Sequence, residues 1–347
     1  MNPLEALSSL PDLRSTHTRL YPLQTIIFLT ISAVVSAADT WVEIEEFGND
    51  KIEWLKNYVP CPDNRIPSHD TLGDFYKRLD IDSFSACFTN WVSQVCGILS
   101  GDLIAIDGKR VRGSYDRFDN KSAIHMVSAW PSRHEMVLGQ VKVDEKSNEI
   151  TAIPSLLSIL ELKGAIVSID AMGCQKEIAG QIKEAGADYI LAFKGNQGTL
   201  KDQVEAHFGY AAIASADNET GKGHGRIEQR KCQVINNLAL IDEAANWKAL
   251  QSVIRVTASR KEVISGKVST EERYYISSKA ADAKTFNNYI RQHWGIENKL
   301  YWLLDVQFGE DASRIRKDNA HENMSTIRRI ALNLIKLDNI PKLSIKY

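Results

Sequence analysis

The sequence predicts an α/β protein: a mixed sheet flanked by helices, preceded by a helical domain and interrupted by a β-rich insertion. Three observations carry this. Two short apolar runs, "DLIAID" and "GAIVSID", each end in an aspartate. Strand and helix patterns alternate between and beyond them. Residues 1–100 show helical spacing only, whereas the pattern turns to strands at Gly101. The expected division is residues 1–100, a helical and possible DNA-binding domain; 101–210, the first part of a catalytic core; 211–280, the insertion; and 281–347, the rest of the core.

Taken in order, the uncharged run from Leu20 to Ala38 approaches the length of a membrane span. Its Gln24, Thr25, Thr30, Ser32 and Ser36, with Pro22 near its start, favour a helix buried in a helical domain. Trp41, Ile44 and Phe47 continue helical spacing, followed by Ile52 and Leu55 after a Gly break. Ser68 or Asp70 can cap a helix containing Leu72, Phe75 and Leu79. "DSFSACFTNWVSQV" gives a further helix.

The strand "DLIAID" ends at Asp107, and "AIHMVSAWP" and "HEMVLGQVKV" form two more strands joined by "PSRH". Helix "IPSLLSILEL", strand "GAIVSID", helix "CQKEIAGQIKEAG", strand "DYILAFKG" and helix "TLKDQVEAHF" follow. A three-strand meander leading into alternating helix and strand is the ribonuclease H-like order. In the insertion, "GRIEQRKCQVI", "ALQSVIRVTASRKEV" and "TEERYYISS" read as strands. "DAKTFNNYIRQHWGIENKLYWLL" then reads as one long helix with Thr285 as its cap, and "AHENMSTIRRIALNLIK" as the last helix.

Asp107 and Asp170 stand at the ends of strands that could be parallel neighbours, and ligands of such sheets bind at strand ends. On the long helix, Glu297 shares a stripe with Ile290, Trp294, Leu300, Tyr301 and Leu304. A carboxylate on an apolar stripe is neutralised, paired or bound to metal. Two readings stand: Glu297 joins the two aspartates around a hard divalent ion, or it pairs with Arg291 or Lys299 at a half-exposed helix edge. Asp305 is the runner-up acid, with a structural role, and Glu310 and Asp311 follow the expected helix end at Gly309.

The stretches "AIDGKRVRGS", "SIDAMGCQKEIA", "DYILAFKGNQGTL", "GHGRIEQR" and "RQHWGIENKLYWLLDVQFGEDASRIR" together resemble the H-repeat-associated group of insertion-sequence DDE transposases. The N-terminal "YPLQTIIFLTISAVVSAADTWVEIEEFG" and "IPSHDTLGDFYKRL" resemble that group's N-terminal domain. The resemblance implies a ribonuclease H-like core and a metal-binding catalytic triad of Asp107, Asp170 and Glu297, using Mg²⁺ or Mn²⁺. It implies phosphodiester hydrolysis at the ends of a mobile element and transfer of the freed 3′-OH into target DNA. The partners would be terminal inverted repeats and target DNA, bound by a homodimer. The wider superfamily spaces a tyrosine, an arginine and a lysine around its glutamate. Here those positions hold Ile290, His293 and Leu304, with Arg291 and Lys299 out of register.

Supporting DNA contacts are expected from Lys109, Arg110 and Arg112 beside the first aspartate, since Lys and Arg on phosphate supply sequence-independent affinity. Lys194 and Asn196, with Gln197, suit an anion before a helix. His224, Arg226 and Arg230 enter the insertion, and His293, Arg291 and Lys299 flank Glu297. Arg314, Arg316, Lys317, Arg328 and Arg329 make the C-terminal end locally basic. Each of these groups also fits a plain solvated turn or face.

Composition bounds the rest. With 347 residues, 44% hydrophobic, the chain can bury a sizeable core, and its net charge of -2 means that DNA affinity must rest on local basic patches. Five cysteines without a C-x-x-C pair read as reduced cytoplasmic thiols. No membrane association is expected. Two alternatives accompany the transposase reading: an inactive or domesticated DNA-binding relative, and a nuclease without strand transfer.

Overall fold

The computed structural model of the chain describes residues 3–12, 14, 19–115, 122–144, 147–223 and 225–338. Its sheet has nine strands in the order β3-β2-β1-β4-β5-β9-β8-β7-β6. Strands β1 (Leu103–Arg110), β2 (His125–Pro131) and β3 (Gly139–Lys142) form an antiparallel meander. Strand β4 (Ile166–Ile169) then pairs parallel to β1, and β5 (Asp188–Phe193) parallel to β4. This is the expected ribonuclease H-like order. The parallel strands are almost wholly buried, as strands covered by helices on both faces must be.

The third strand is shorter than "HEMVLGQVKV" suggests. Residues 136–138 stay buried outside the ladder because the Asn333 side chain accepts from Val137 N at 2.8 Å and donates to Val137 O at 2.9 Å. A side-chain amide there replaces a neighbouring strand.

The insertion supplies four strands, β6 (Ser215–Gly223), β7 (Arg226–Ile235), β8 (Ser252–Glu262) and β9 (Val268–Ser277), joined directly to β5 through β9. β6 was not legible in the sequence because "SADNETGKG" has no apolar alternation, and its outer residues are exposed on both faces.

Helices α1 (Leu23–Val35), α2 (Trp41–Asp50), α3 (His69–Arg78) and α4 (Ile81–Val95) form the N-terminal unit. α1 has Ile26, Ile27 and Leu29 fully buried, and no helix among the described residues is long and apolar enough to cross a membrane. Its Thr25 and Thr30 hydroxyls donate to backbone carbonyls, which is how a mostly buried helix carries polar residues. α2 begins in a capping box of Thr40 and Glu43, and of the two candidates Ser68 caps α3, accepting from Thr71 N.

Helices α5 (Glu149–Ser158), α6 (Lys176–Glu184) and α7 (Gly198–Tyr210) alternate with the strands. α5 starts earlier than its apolar spacing suggested because Asn148 caps it, accepting from Ile150 N.

The long helix expected after the insertion is broken. α8 (Ala283–His293) is capped by Asp282, which accepts from Thr285 N, so Thr285 donates rather than caps. A π-helical turn (Ile296–Tyr301) and the short α9 (Trp302–Val306) follow. The break falls at Trp294, next to Gly295, where an added Cβ would lie 2.6 Å from the Trp130 ring. The last helix, α10 (Ala320–Leu337), is buried along most of its length. It packs on α1, α3 and α4, and its Asn323 amide donates to Tyr76 O and Leu79 O. It therefore clamps the N-terminal helices to the sheet.

Gly295→Ala must push Trp130 or the π-turn aside. We expect a loss of about 1–3 kcal/mol in urea unfolding, the range for overpacking a filled site. Unchanged stability would mean that the Gly295–Trp130 contact does not set the break.

Candidate active site

The end of β4 and the middle of β1 build the site: β1 does not end at Asp107 as its apolar run suggested, because its pairing with β2 carries it on to Arg110. Ile106 of β1 pairs in parallel with Ile169 of β4, so Asp107 and Asp170, the next residues, come side by side where β4 ends. Asp107 still belongs to β1, opposite Ser128 of β2. Asp170 opens the following turn, where its Oδ1 accepts from Met172 N at 3.0 Å.

The helix after the insertion reaches the same edge. Tyr301 Oη donates to the Asp107 carbonyl at 2.7 Å, pinning the π-turn to β1. Glu297 lies on that turn. Ile290, Leu300, Tyr301 and Leu304 are buried as their spacing implies, but Glu297 is exposed. The expectation of a carboxylate on the buried stripe is therefore corrected: the wider π-turn changes the helical phase and carries Glu297 out of the stripe.

The acids act on one another. Burial, then the charges of Asp170, Glu149 and Glu297, push the Asp107 carboxyl up to about 8. Burial and Glu149 raise Asp170 as well, against the Gly173 and Met172 amides and the Lys194 charge. None of Asp107, Asp170 and Glu297 makes an ion pair among the described residues. An oxygen-only set under mutual repulsion has the chemistry that hard divalent cations select. As placed, however, no three His, Cys, Asp or Glu side chains among the described residues group closely enough to hold a metal ion.

Glu149 is a further acid here that sequence reasoning missed. It is the first residue of α5, buried, with Oε1 at 2.8 Å from His125 Nε2. An added Cβ on Gly108 would meet Glu149 Oε1 at 2.2 Å, so only glycine after Asp107 allows this approach. A glutamate in a helix's first turn looks like ordinary dipole matching in sequence, which hid its role. Tyr301 was visible only as part of the apolar stripe.

Several expected DNA contacts are corrected. Lys109 is 7% exposed, with Nζ at 2.6 Å from Asp305, 2.9 Å from Asp311 and 3.5 Å from Glu310. It is saturated by acids and cannot also take a phosphate. Arg328 and Arg329 are buried as well, not a basic surface. Arg329 pairs with the fully buried Glu310 at 2.6 Å and bonds Ser325, while Arg328 donates to Phe308 O. Burial would raise Glu310, but Arg329, Lys109 and Arg328 outweigh it and bring it down to about 2.

His293 is buried, with Nδ1 at 2.9 Å from Ser168 Oγ. Burial and the Arg273 charge lower it to about 4, so it is neutral at physiological pH and docks α8 on β4 instead of holding phosphate. Lys299 pairs with Glu135, which also holds Lys336, and Arg291 pairs with Glu219 at 2.7 Å; both cations remain half-exposed or more. Arg230 of β7 donates to Asn287 Oδ1 of α8.

Asn196 ties the loops. Its amide donates to Ala171 O at 2.6 Å and its Oδ1 accepts from Lys194 N, which fixes the turn carrying Asp170. Gln197 adds a bond to Cys174 O. Lys194, Arg110 and Arg112 remain exposed, although the Arg112 backbone N–H donates to Asp311. Arg226 is exposed at a hairpin turn, while His224 lies outside the described residues. Arg314 and Lys317 are exposed and Arg316 donates to Gly113 O.

Comparison with known proteins places this edge in context. Residues 99–334 match the family model of the transposase DDE domain, and residues 4–92 match that of the segment associated with it. The chain is 44% identical over 340 residues to the transposase candidate YncI of Escherichia coli O157:H7, covering 96% of this chain and 87% of that one. It is 41% identical over 352 residues to the H repeat-associated transposase candidate YhhI of Escherichia coli K12, covering 99% and 92%. A remote structural likeness, TM-score 0.41 at 10% identity over 98% of this chain and 78% of the other, is to a piggyBac transposase in a synaptic complex with hairpin DNA.

Two outcomes follow from the charges. Because its folded-state pKa is raised, Asp107 contributes stability that is complete below its ordinary value of 3.8 and is lost as pH rises through about 8. In chelator, the Tm of the unaltered chain should fall over that window more than that of Asp107→Asn. Parallel curves would refute the assigned shift. Removing Glu310 by Glu310→Ala leaves Arg329 buried and unpaired, and should cost about 3–5 kcal/mol in denaturant unfolding.

Proposed function

Because this chain belongs to the DDE-domain transposase family, we propose that it cuts DNA at the ends of a mobile element and transfers the freed 3′-OH into target DNA. The observation that supports this is the approach of Asp107 and Asp170, with the charge of Glu297, at one end of the parallel strands, where burial, then the charges of Asp170, Glu149 and Glu297, lifts the Asp107 carboxyl to about 8. On this reading these three side chains hold Mg²⁺ or Mn²⁺ and carry catalysis. When bound, such ions activate a nucleophile and stabilise the leaving oxygen of phosphoryl transfer.

The residues have separate tasks. Asp107, fixed in the strand, ionises once its repulsion is countered. Asp170 is held by the Met172 amide and by the Asn196 tie beneath its turn. Glu297 is exposed on a turn tied to β1 by Tyr301 and to Glu135 by Lys299, and on this reading its side chain turns inward to complete the set. The exposed Lys194, Arg110, Arg112 and Arg226 take the phosphates that the buried Lys109 and His293 cannot. Terminal inverted repeats and target DNA are the partners, held by a homodimer because two ends must be joined in one event. The five cysteines are all unpaired, in keeping with a cytoplasmic location.

One observation favours a second reading, a relative that binds DNA without cutting it: as placed, the acids do not close into a metal-holding group. Cleavage and strand transfer, assayed separately on duplexes carrying the DNA that flanks the gene, decide between them. Asp107→Ala, Asp170→Ala and Glu297→Gln should each lower cleavage by at least about a hundredfold, the scale of losing one electrostatic stabiliser, with DNA binding retained. Full cleavage by Asp107→Ala would sink the mechanism. Binding without cleavage by the unaltered chain in millimolar Mg²⁺ would favour the second reading, and cleavage without joining would mark a nuclease.

A further inference from the structure

The four-stranded ribbon β6–β9 is longer than the sheet it extends. β9 pairs with β5 only from Tyr274 to Ser277, whereas its ladder with β8 runs from Val268 to Ser277. β5 is parallel to β1 and β4, so its C-terminal end is the end that carries Asp107 and Asp170. The register sets Ile169 level with Leu191 and Leu191 level with Ile276. The acids therefore lie near the level of Tyr275. Val268 lies seven residues further out, about 23 Å at the usual strand rise. The outer part of the ribbon stands beyond the catalytic edge like a wall.

That wall is free of the protein body. Residues 268–272 of β9 and 260–262 of β8 are all exposed, on both faces. Its end is nevertheless ordered. Val263 N donates to Gly225 O, lacing the two hairpin turns together, and Ser265 Oγ donates to Glu262 in the outer turn. Gly266 takes the left-handed conformation that this turn needs, at φ +69°.

The ordered tip presents aliphatic side chains to water: Ile264 is 99% exposed, Val263 61% and Val268 57%. Around them, in a chain of net charge -2, stand Lys222, Arg226, Arg260, Lys261 and Lys267 against Glu228 and Glu262. Arg260 is neutralised by Glu228, but Lys222, Arg226, Lys261 and Lys267 make no ion pair among the described residues. Unpaired cations flanking a bare aliphatic tip match the chemistry by which proteins hold a duplex at its phosphates and wedge an apolar side chain between base steps.

We propose that this ribbon is a DNA arm: its unpaired cations grip the phosphates of a duplex lying across the catalytic edge, and Val263 and Ile264 enter the groove as a wedge. The inference rests on the DNA reading above and adds to it a place and a mode of contact. The arm stands at the same end of the sheet as the acids, so the duplex that reaches them runs beside it.

Anisotropy titrations with a labelled duplex of mixed sequence, using the full chain without divalent metal, test this. Ile264→Ser should weaken binding about tenfold, the loss of one buried aliphatic side chain, and leave the salt dependence intact. The pair Lys261→Ala and Lys267→Ala should reduce the slope of log affinity against log salt by about 2. A 2-aminopurine in the duplex should brighten on binding the unaltered chain and stay dim with Ile264→Ser. All three positions are exposed, so circular dichroism should report unchanged folding. Unaltered affinity and slope in these variants would overturn the arm while leaving the DNA reading standing. A change of oligomeric state in Ile264→Ser with DNA binding intact would make the tip a protein contact and equally overturn it. Failure of the unaltered chain to bind any duplex would overturn the DNA reading itself.

Discussion

A buried lysine holds the architecture together. Lys109 reaches from β1 into a pocket of three carboxylates, Asp305, Glu310 and Asp311, two of them from the 3-10 turn after α9. Glu310 is shared with Arg329 of α10, which is fully buried. Through this one network the central strand, the Glu297-bearing segment and the helix that clamps the N-terminal unit are joined. Charges out of water cost several kcal/mol each unless they are matched. The matching requires all three elements to be present, so the strand that carries Asp107 cannot be set without the C-terminal helix.

The network has a consequence for the candidate site. Asp107 and Lys109 alternate on β1 and project to the same side. The lysine's charge is consumed by its own acids, so it does not lie beside Asp107 as a counter-ion. Asp107 instead faces Asp170, Glu149 and Glu297, and its carboxyl rises. Glu149 is answered by His125. The remaining acids have the repulsion of a cation site, while Tyr301 and the Asn196 tie hold the backbone around them. β1 and the end of β4 thus carry two acids, and a π-turn carries the third on an exposed face.

Much of this was legible locally. The apolar runs ending in Asp107 and Asp170 needed only the period of a buried strand, and their parallel pairing follows from the intervening helices. The order of core elements was readable for the same reason. Features governed by partners distant in sequence were not. The polar β6 is a strand because β7 pairs with it. The shortening of β3 depends on Asn333, far along the chain. The helix break depends on Trp130 meeting Gly295.

The sequence by itself determined the α/β class, the core order and the place of Asp107 and Asp170 after apolar strand runs, because each is written in the spacing of neighbouring residues. Tertiary structure decided which charges are available. Lys109, His293, Arg328 and Arg329 look like a basic, phosphate-seeking set in the linear chain. Folding buries all four and gives each a partner within the protein: Asp305, Ser168, Phe308 O and Glu310. The physical reason is that spacing along a strand or helix fixes which face a residue takes, whereas the fate of a charge depends on which distant group the packed chain brings to it.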